Sequence, residues 1–453
     1  MTSDSGHASA ASLRGAPIIV PAAPRRPLVD VAFLWGARMV SSFATVAVLA
    51  VAARRLPVDQ FAQFALLVGL VAWIPILDFG FGSVLQNRAS EQRAQGRDGA
   101  AAIVACIVGA GSFAVVATLV AVAGMAAWGR FAAPGLMQRP GLLAFTLCCL
   151  AISGVSMLVH RVFAATNRLM LSAALSALQN ILALCGLLAT LQLASGPDAL
   201  LVPLLGYFVP FTAVPLMALL ALARRSGWFP ALCDDGFRAA WRDPRLVKDS
   251  MKFWFVTLLS LTVVQFDQFI AFTCLPPRDF AHYTVACKLI AFLYFPFSAL
   301  LVANWSRVAV AHSRQDRPAI LGIVHSSVMI GAGYLLLAIA VLVPLAGKFS
   351  YLLPRGGGDI ELTVLVGVGL VALNKVWTEA YALVYLATNH VATIAAYLPV
   401  QAMLSVGLQI VLVKAFGVYG LMLGGALSYF ATSHWILPLR ARQVFDQYAV
   451  QGR

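Results

Sequence analysis

Seven charged side chains lie inside long apolar stretches of this 453-residue sequence, and one of them, Lys252, lies near the start of its stretch. The six deeper residues are Arg38, Asp78, Asp267, Lys288, Lys375 and Glu379. A charge within the hydrocarbon of a bilayer is costly, so such residues pair with one another or line a path for a substrate or an ion. The six residues therefore indicate binding, gating or ion coupling inside a membrane, and we name no catalytic residue.

Two of the expected pairs follow from matched depths in neighbouring helices. Arg38 and Asp78 lie about eight and six residues from the cytoplasmic ends of the first two apolar stretches, so they are expected to pair. Asp267 and Lys288 each lie about seven residues from the opposite face. Each set is either a structural ion pair or a functional one. For the second set, the functional alternative is an outward-side gate or a carboxylate coupled to a proton or a sodium ion.

Lys375 and Glu379 form the third expected pair. They share one face of a helix at i,i+4 spacing, close to the bilayer midplane. A pair at that depth is not expected to face lipid. Lys375 is the best single candidate for binding an anionic substrate, and Glu379 would hold it or accept a proton. The alternative is a self-satisfied pair in helix packing.

The composition sets the class of protein. Hydrophobic residues make up 61% of the chain, charged residues only 11%, and the mean hydropathy is +0.86. These values exclude a soluble globular protein, and the length of the apolar runs excludes a transmembrane barrel. The net charge of +14 resides mostly in short loops, which favours a membrane over a nucleic-acid partner. Neither CxxC nor histidine ligand spacing occurs, so no metal and no cofactor is expected.

Twelve apolar blocks are each long enough to cross a bilayer as a helix. They span residues 30–53, 61–84, 100–127, 141–159, 169–193, 199–223, 250–274, 281–304, 319–346, 361–387, 391–413 and 417–439. If the N-terminus is cytoplasmic, the inner segments carry 20 of the 32 Lys and Arg residues and the outer loops carry eight. This bias predicts that both termini are cytoplasmic.

An internal repeat divides the blocks into two halves. Leu56-Pro-Val-Asp-Gln-Phe-Ala-Gln-Phe64 aligns with Leu275-Pro-Pro-Arg-Asp-Phe-Ala-His-Tyr283 at an offset of 219 residues. Because six helices lie in each half, the repeat is parallel. We predict two six-helix lobes, 30–225 and 250–440, joined by a cytoplasmic linker at 226–249. A disordered tail precedes them (1–29) and a short tail follows (441–453). A two-lobed carrier of this kind works by alternating access.

Short motifs add a family resemblance. Ala53-Arg54-Arg55-Leu56-Pro57 precedes Phe61-Ala-Gln-Phe64, Leu77-Asp78-Phe79-Gly80 closes the second block, and Gln265-Phe266-Asp267-Gln268 precedes Tyr283-Thr-Val-Ala286. This set resembles the polysaccharide-transport (Wzx-type) flippases of the multidrug/oligosaccharidyl-lipid/polysaccharide exporter (MOP) superfamily, although Pro57 and Ala62 replace glycines that are usual in the first motif. The resemblance implies a MOP/MATE-like all-α fold. It also implies that Arg38 and Asp78 form an inward-side gate or a substrate contact.

The function that this resemblance implies is flipping of a polyprenyl-pyrophosphate-linked oligosaccharide. The lipid-linked sugar would move from the cytoplasmic to the periplasmic leaflet of a bacterial inner membrane, for O-antigen, capsule or exopolysaccharide export. Membrane lipids, a polysaccharide polymerase and a co-polymerase are the expected partners, with proton or sodium coupling as an option. One alternative is a multidrug or other small-molecule exporter of the same superfamily. A membrane-embedded polysaccharide polymerase or glycosyltransferase is the other, and the short outer loops argue against it.

Overall fold

A computed structural model describes residues 27–94, 100–128, 140–166, 168–193, 200–226, 228, 244–353, 361–388 and 390–441. The regular secondary structure of these residues is entirely helical, as the composition predicts. Almost all of the two predicted tails, and residues 229–243 of the predicted linker, lie outside the described residues. The remainder of that linker is partly helical, since a helix begins at Pro244, where proline suits a first helical turn.

Thirteen α-helices and two 3-10 segments have bounds within the described residues, and residues 433–441 are helical as well. The α-helices are α1 Pro27–Arg55, α2 Val58–Gly69, α3 Phe81–Ala94, α4 Ala100–Trp128, α5 Pro140–Ser156, α6 Leu158–Ala165, α7 Leu169–Leu191, α8 Leu201–Arg225, α9 Pro244–Cys274, α10 Pro277–Ser313, α11 Arg317–Leu345, α12 Leu362–Ala387 and α13 Val391–Ala431. The 3-10 segments are Leu70–Ile76 and Ala346–Leu352. Eleven stretches among the described residues are long and apolar enough to cross a membrane.

The last of these stretches contains two crossings. It covers 50 residues, Ala392–Ala441, whereas one crossing needs about 20. Gly417 interrupts α13 with φ 58° and ψ −137°, a conformation that residues with a Cβ rarely adopt. The break lies where the sequence predicts the boundary between its last two blocks. The twelve predicted crossings therefore agree with eleven stretches of which one is a hairpin.

Small residues close this hairpin. A Cβ added to Gly420 would collide with the carbonyl of Leu412, and one added to Gly424 would lie 2.7 Å from the Gln409 amide nitrogen. The two arms of α13 therefore pack backbone against backbone, which only glycine at these positions permits. The GxxxG spacing of Gly420 and Gly424 predicts this kind of close packing, and the structure confirms it.

The second predicted block differs from a single straight helix. It consists of α2, the 3-10 segment, a turn at residues 77–80 and the start of α3. Pro75 lacks a backbone donor and Phe79 and Gly80 have positive φ angles of 51° and 77°. Asp78 stabilises the turn because its Oδ1 accepts a 2.7 Å hydrogen bond from the Gly80 amide. Asp78 thus lies after the second crossing, not within it.

Two compact units divide the contacts of the chain. One contains Met1–Thr45 and Leu70–Thr257, and the other contains Val46–Gly69 and Leu258–Arg453. We call them unit 1 and unit 2. In unit 1, the aromatic centre of the core joins the turn at residues 77–80 to α4 and α9: the Phe79 ring lies 5.5 Å from Phe113 and 6.0 Å from Trp254. The division into repeated six-helix lobes stays a prediction.

In unit 2, α10 is the central packing partner. It contacts α2, α11, α12 and α13. Phe280, Ala286 and Val308 along its length are buried. Gly331 of α11 brings that helix against α10, since a Cβ there would collide with the Phe297 ring. These apolar contacts hold the polar side chains of α9, α10 and α12 at fixed positions, and those side chains form the site described next.

Candidate functional site

A cavity of about 340 Å³, lined by both apolar and polar side chains, lies within unit 2. Its hydrogen-bonding groups come from the last third of α9, the first half of α10, the middle of α12 and both arms of α13. Three of the predicted site residues, Asp267, Lys288 and Lys375, line this cavity together. The volume lies at the small end of the range for ligand pockets, about 300–1,000 Å³.

Two side-chain hydrogen bonds, here called rungs, join α9 to α10 beside the cavity. The Tyr283 hydroxyl donates a hydrogen bond to Oδ2 of Asp267, and Thr284 Oγ1 donates one of 3.2 Å to Gln268 Oε1. Both rungs join residues 16 positions apart, so neighbouring residues of α9 meet neighbouring residues of α10. Because a hydrogen bond to a charged group is worth about 1.5–3 kcal/mol, the Asp267 rung is expected to be the stronger one.

The structure corrects the predicted partner of Asp267. A tyrosine hydroxyl, not Lys288, contacts the carboxylate. Lys288 lines the same cavity, but it forms no ion pair with Asp267 among the residues that the structure describes. The physical reason is helix geometry: Tyr283 and Lys288 are five residues apart on α10, so depth alone does not decide which of them meets α9. Tyr283 belonged to the quoted motif set, which is the signal that could have found it.

The predicted pair of Lys375 and Glu379 is present, and it has a third member. Lys375 Nζ lies 3.6 Å from Glu379 Oε1, and the Tyr294 hydroxyl donates a 2.7 Å hydrogen bond to Glu379 Oε2. Lys375 Nζ also lies 4.8 Å from the centre of the Tyr294 ring, within cation–π range. Glu379 is therefore held from two sides, and Lys375 stays about one-third exposed, at 32%. Such a lysine remains available to an anion that enters the cavity.

Arg38 and Asp78 both lie in unit 1, and the structure corrects their predicted pairing. Asp78 contacts the Gly80 amide, and its neighbouring cation is Arg161 of α6. Arg38 is an exposed residue of α1. The physical reason is the turn at residues 77–80, which takes Asp78 out of the helix on which the depth argument placed it.

A second, shallower cavity of about 290 Å³ surrounds Asp78 in unit 1, with His160 and Arg161 in its lining. The side chain of Asp78 is buried, and Gly82 packs so close that an added Cβ would collide with its carboxylate. Burial raises the pKa of the Asp78 carboxyl above its ordinary value, and the Gly80 amide and the Arg161 guanidinium oppose that rise. Sequence reasoning did not identify Arg161, which looks like an ordinary loop cation in the sequence.

Sequence comparisons identify relatives that cover most of the chain. No protein-family model matches the chain. A candidate O-antigen transporter of Salmonella typhimurium is 23% identical over 397 residues, which cover 84% of this chain and 88% of the relative. A candidate O-antigen export protein of Yersinia pseudotuberculosis is 22% identical over 437 residues, which cover 94% and 98%.

Two solved structures share the fold of this chain. An inward-facing multidrug resistance MATE transporter of the MOP superfamily has a TM-score of 0.68 at 10% identity, covering 91% of this chain and 98% of its own. The lipid II flippase MurJ in an inward closed conformation has a TM-score of 0.67 at 12% identity, covering 92% and 89%. The predicted all-α MATE-like fold is thus confirmed. So is the resemblance to polysaccharide transporters, on the descriptions of the sequence relatives.

Proposed function

We propose that this protein flips a polyprenyl-pyrophosphate-linked oligosaccharide across a bacterial inner membrane, towards the periplasmic leaflet. The observation that carries the proposal is the similarity of nearly the whole chain to candidate O-antigen transport proteins. The chain also shares its fold with a lipid II flippase, at 12% identity, so a flippase is compatible with the fold. The chain acts as a transporter and not as an enzyme.

The energetic problem of such a transporter is the head group. An unaided glycan would place unsatisfied polar groups in hydrocarbon at several kcal/mol each, and a pyrophosphate would add charge. A protein path with cations and hydrogen-bonding groups removes most of that cost. The cavity of unit 2 offers both, through Lys288 and Lys375 and through the amides and hydroxyls beside them. We propose that Lys375 is the principal contact of the pyrophosphate, with Lys288 as a second cation.

Ion coupling is a second part of the proposal. Asp267 and Glu379 are carboxylates that reach polar partners inside a crossing region, and each has a tyrosine hydroxyl as one partner. A carboxylate in this environment can gain or lose a proton, or accept a sodium ion, at a free-energy difference that depends on which face of the membrane it meets. We propose that Asp267 couples transport to a proton or sodium gradient, and that Arg38 and Asp78 belong to the inward-side gate.

A multidrug exporter has less support. The MATE likeness is at 10–14% identity and concerns the fold alone, whereas the sequence relatives are described as O-antigen proteins. The charges in the unit 2 cavity also include two lysines, which suit an anionic head group better than a cationic drug. The proposed partners are therefore membrane lipids and the lipid-linked glycan, followed by a polysaccharide polymerase and co-polymerase that act on the product.

The deciding experiment uses a strain that lacks this gene. Lipid-linked sugars are extracted from it, and their exposure to an added glycosidase is compared in intact and lysed spheroplasts. The proposal predicts that the glycan accumulates in the protected, inner leaflet and that the wild-type gene restores its exposure. If the glycan is neither accumulated nor protected and surface polysaccharide is normal, the proposal is wrong.

The proposed topology has its own test. Both termini are expected on the cytoplasmic side, because 20 Lys and Arg residues lie on the side that this arrangement makes cytoplasmic. A reporter that is active only in the cytoplasm, fused to either end of the chain, should be active in both fusions. A signal from only one fusion would contradict an even number of crossings.

A further inference from the structure

Gln409 is a buried polar side chain with one end left unbonded. It lies in the first arm of α13, is only 4% exposed, and lines the cavity of unit 2. Its Nε2 donates a 3.2 Å hydrogen bond to Ser405 Oγ, whereas its Oε1 is buried and has no partner among the described residues. A buried acceptor that stays unpaired costs about 1–3 kcal/mol, so a native protein retains one where something else supplies the partner.

A second glutamine of the same helix shows the usual structural arrangement. Gln401 lies about two turns earlier and is 2% exposed. Its Oε1 accepts a 2.7 Å hydrogen bond from the Ser433 hydroxyl, and it does not belong to the cavity lining. The two residues share residue type, helix and burial. They differ in whether the side chain lines the cavity and in whether its carbonyl oxygen accepts a hydrogen bond.

The cavity surfaces around Gln409 suit a ring that carries hydroxyl groups. Gln268 and Thr284 contribute polar atoms from α9 and α10, and the rings of Tyr294 and Tyr429 contribute flat apolar surface. A hydroxyl both donates and accepts, so it satisfies the Gln409 amide in either orientation of its terminal atoms. The volume of about 340 Å³ is small for a ligand pocket, so beside a pyrophosphate at Lys288 and Lys375 it has room for about one sugar residue.

We infer that the unit 2 cavity is a subsite for a single hydroxyl-bearing sugar residue of the lipid-linked glycan, and that Gln409 accepts a hydrogen bond from one of its hydroxyls. Gln409 is then a specificity-determining residue. A substrate without that hydroxyl leaves the buried oxygen unpaired and is disfavoured, which is how sites that recognise a hydroxyl reject analogues that lack it. This inference rests on the proposed function and specifies which part of the substrate the cavity binds.

The test compares two lipids in proteoliposomes that contain the full-length protein. One is the polyprenyl-pyrophosphate-linked glycan extracted from the strain that lacks the gene, and the other is polyprenyl pyrophosphate without sugar. Initial translocation rates are followed by a glycosidase or a phosphatase added outside, and the preference is the ratio of the two rates. Loss of one hydrogen bond in Gln409→Met should lower this preference about tenfold.

Thermal unfolding of the purified protein without substrate separates this role from a structural one. Gln409→Met should unfold close to the wild-type temperature, because the removal of the unpaired carbonyl offsets the loss of the 3.2 Å hydrogen bond to Ser405 Oγ. The matched control Gln401→Met should unfold at a lower temperature and keep the preference. If Gln409→Met does not fold, Gln409→Asn retains the amide and withdraws it by one methylene, and it should also lose the preference.

The outcomes remain distinct from those of the proposed function. If the wild-type protein does not translocate the glycan, the proposed function itself fails. If the wild type translocates both lipids equally well, or if a folded Gln409 variant keeps the wild-type preference, the flippase stands and the sugar subsite is overturned. A lower unfolding temperature of Gln409→Met with an unchanged preference would make Gln409 a packing residue.

Discussion

Replacing Lys375 by methionine should separate substrate binding from helix packing. Methionine keeps most of the apolar stem and removes the charge that lies 3.6 Å from Glu379 and 4.8 Å from the Tyr294 ring. The ion pair is about one-third exposed, at 32% and 35%, so its net contribution to stability is at most about 1 kcal/mol. Glu379 also keeps its 2.7 Å hydrogen bond from Tyr294. The amount of protein in the membrane should therefore stay close to that of the wild type.

The expected effect on transport is much larger. A hydrogen bond between a lysine and a charged phosphate oxygen is worth about 1.5–3 kcal/mol, which corresponds to about 10- to 100-fold in rate or affinity. The assay is the glycosidase exposure of the lipid-linked glycan in spheroplasts, normalised to the amount of protein in the membrane. Lys375→Arg, which keeps the charge, should retain more activity than Lys375→Met.

A double variant decides between the two roles. Glu379→Gln in the Lys375→Met background removes the carboxylate left without its lysine, while the amide oxygen can still accept from Tyr294. If the pair only stabilises α12 and its contact with Tyr294, the double variant should recover transport, as coupled neighbours do in a double-mutant cycle. If Lys375 binds the pyrophosphate, the double variant should stay as inactive as the single one. Recovery to within about twofold of the wild type would refute the substrate role of Lys375.

Three further predictions concern other parts of the chain. Asp267→Asn should abolish the dependence of transport on a proton or sodium gradient, whereas Tyr283→Phe should keep that dependence; a gradient dependence that survives in Asp267→Asn would remove this carboxylate from the coupling. Because burial raises the pKa of Asp78, the folded protein holds the proton more tightly than the unfolded chain does. The folded protein should therefore lose stability as the pH rises from the ordinary aspartate pKa to the raised one. Asp78→Asn keeps an acceptor for the Gly80 amide, so it should unfold at the wild-type temperature or above at neutral pH, and a clear drop would show that the charge beside Arg161 is needed. Gly424→Leu should lower stability by about 1–3 kcal/mol because of the contact with the Gln409 backbone, whereas Gly407→Leu, with open space at its Cβ, should not; equal thermal stability of the two variants would contradict the packing of the hairpin.

Much of the architecture could be predicted because hydrophobic length is a property of the chain itself. A run of about 20 apolar residues must cross a bilayer as a helix, whatever its neighbours are. The twelve blocks, the hairpin at Gly417 and the close packing at Gly420 and Gly424 follow from this rule and from the special geometry of glycine. The i,i+4 pair of Lys375 and Glu379 was also predictable, because both residues lie on one helix.

Contacts between different helices could not be predicted in the same way. Depth along a helix leaves its rotation open, and rotation decides whether Tyr283 or Lys288 reaches Asp267. A local turn likewise takes Asp78 out of the helix and places it beside Arg161. The sequence by itself therefore determined how many apolar stretches can cross a membrane and roughly where they lie. Only the tertiary structure decided which polar groups meet there, because packing between helices sets rotation, and it left the carbonyl of Gln409 open to the cavity.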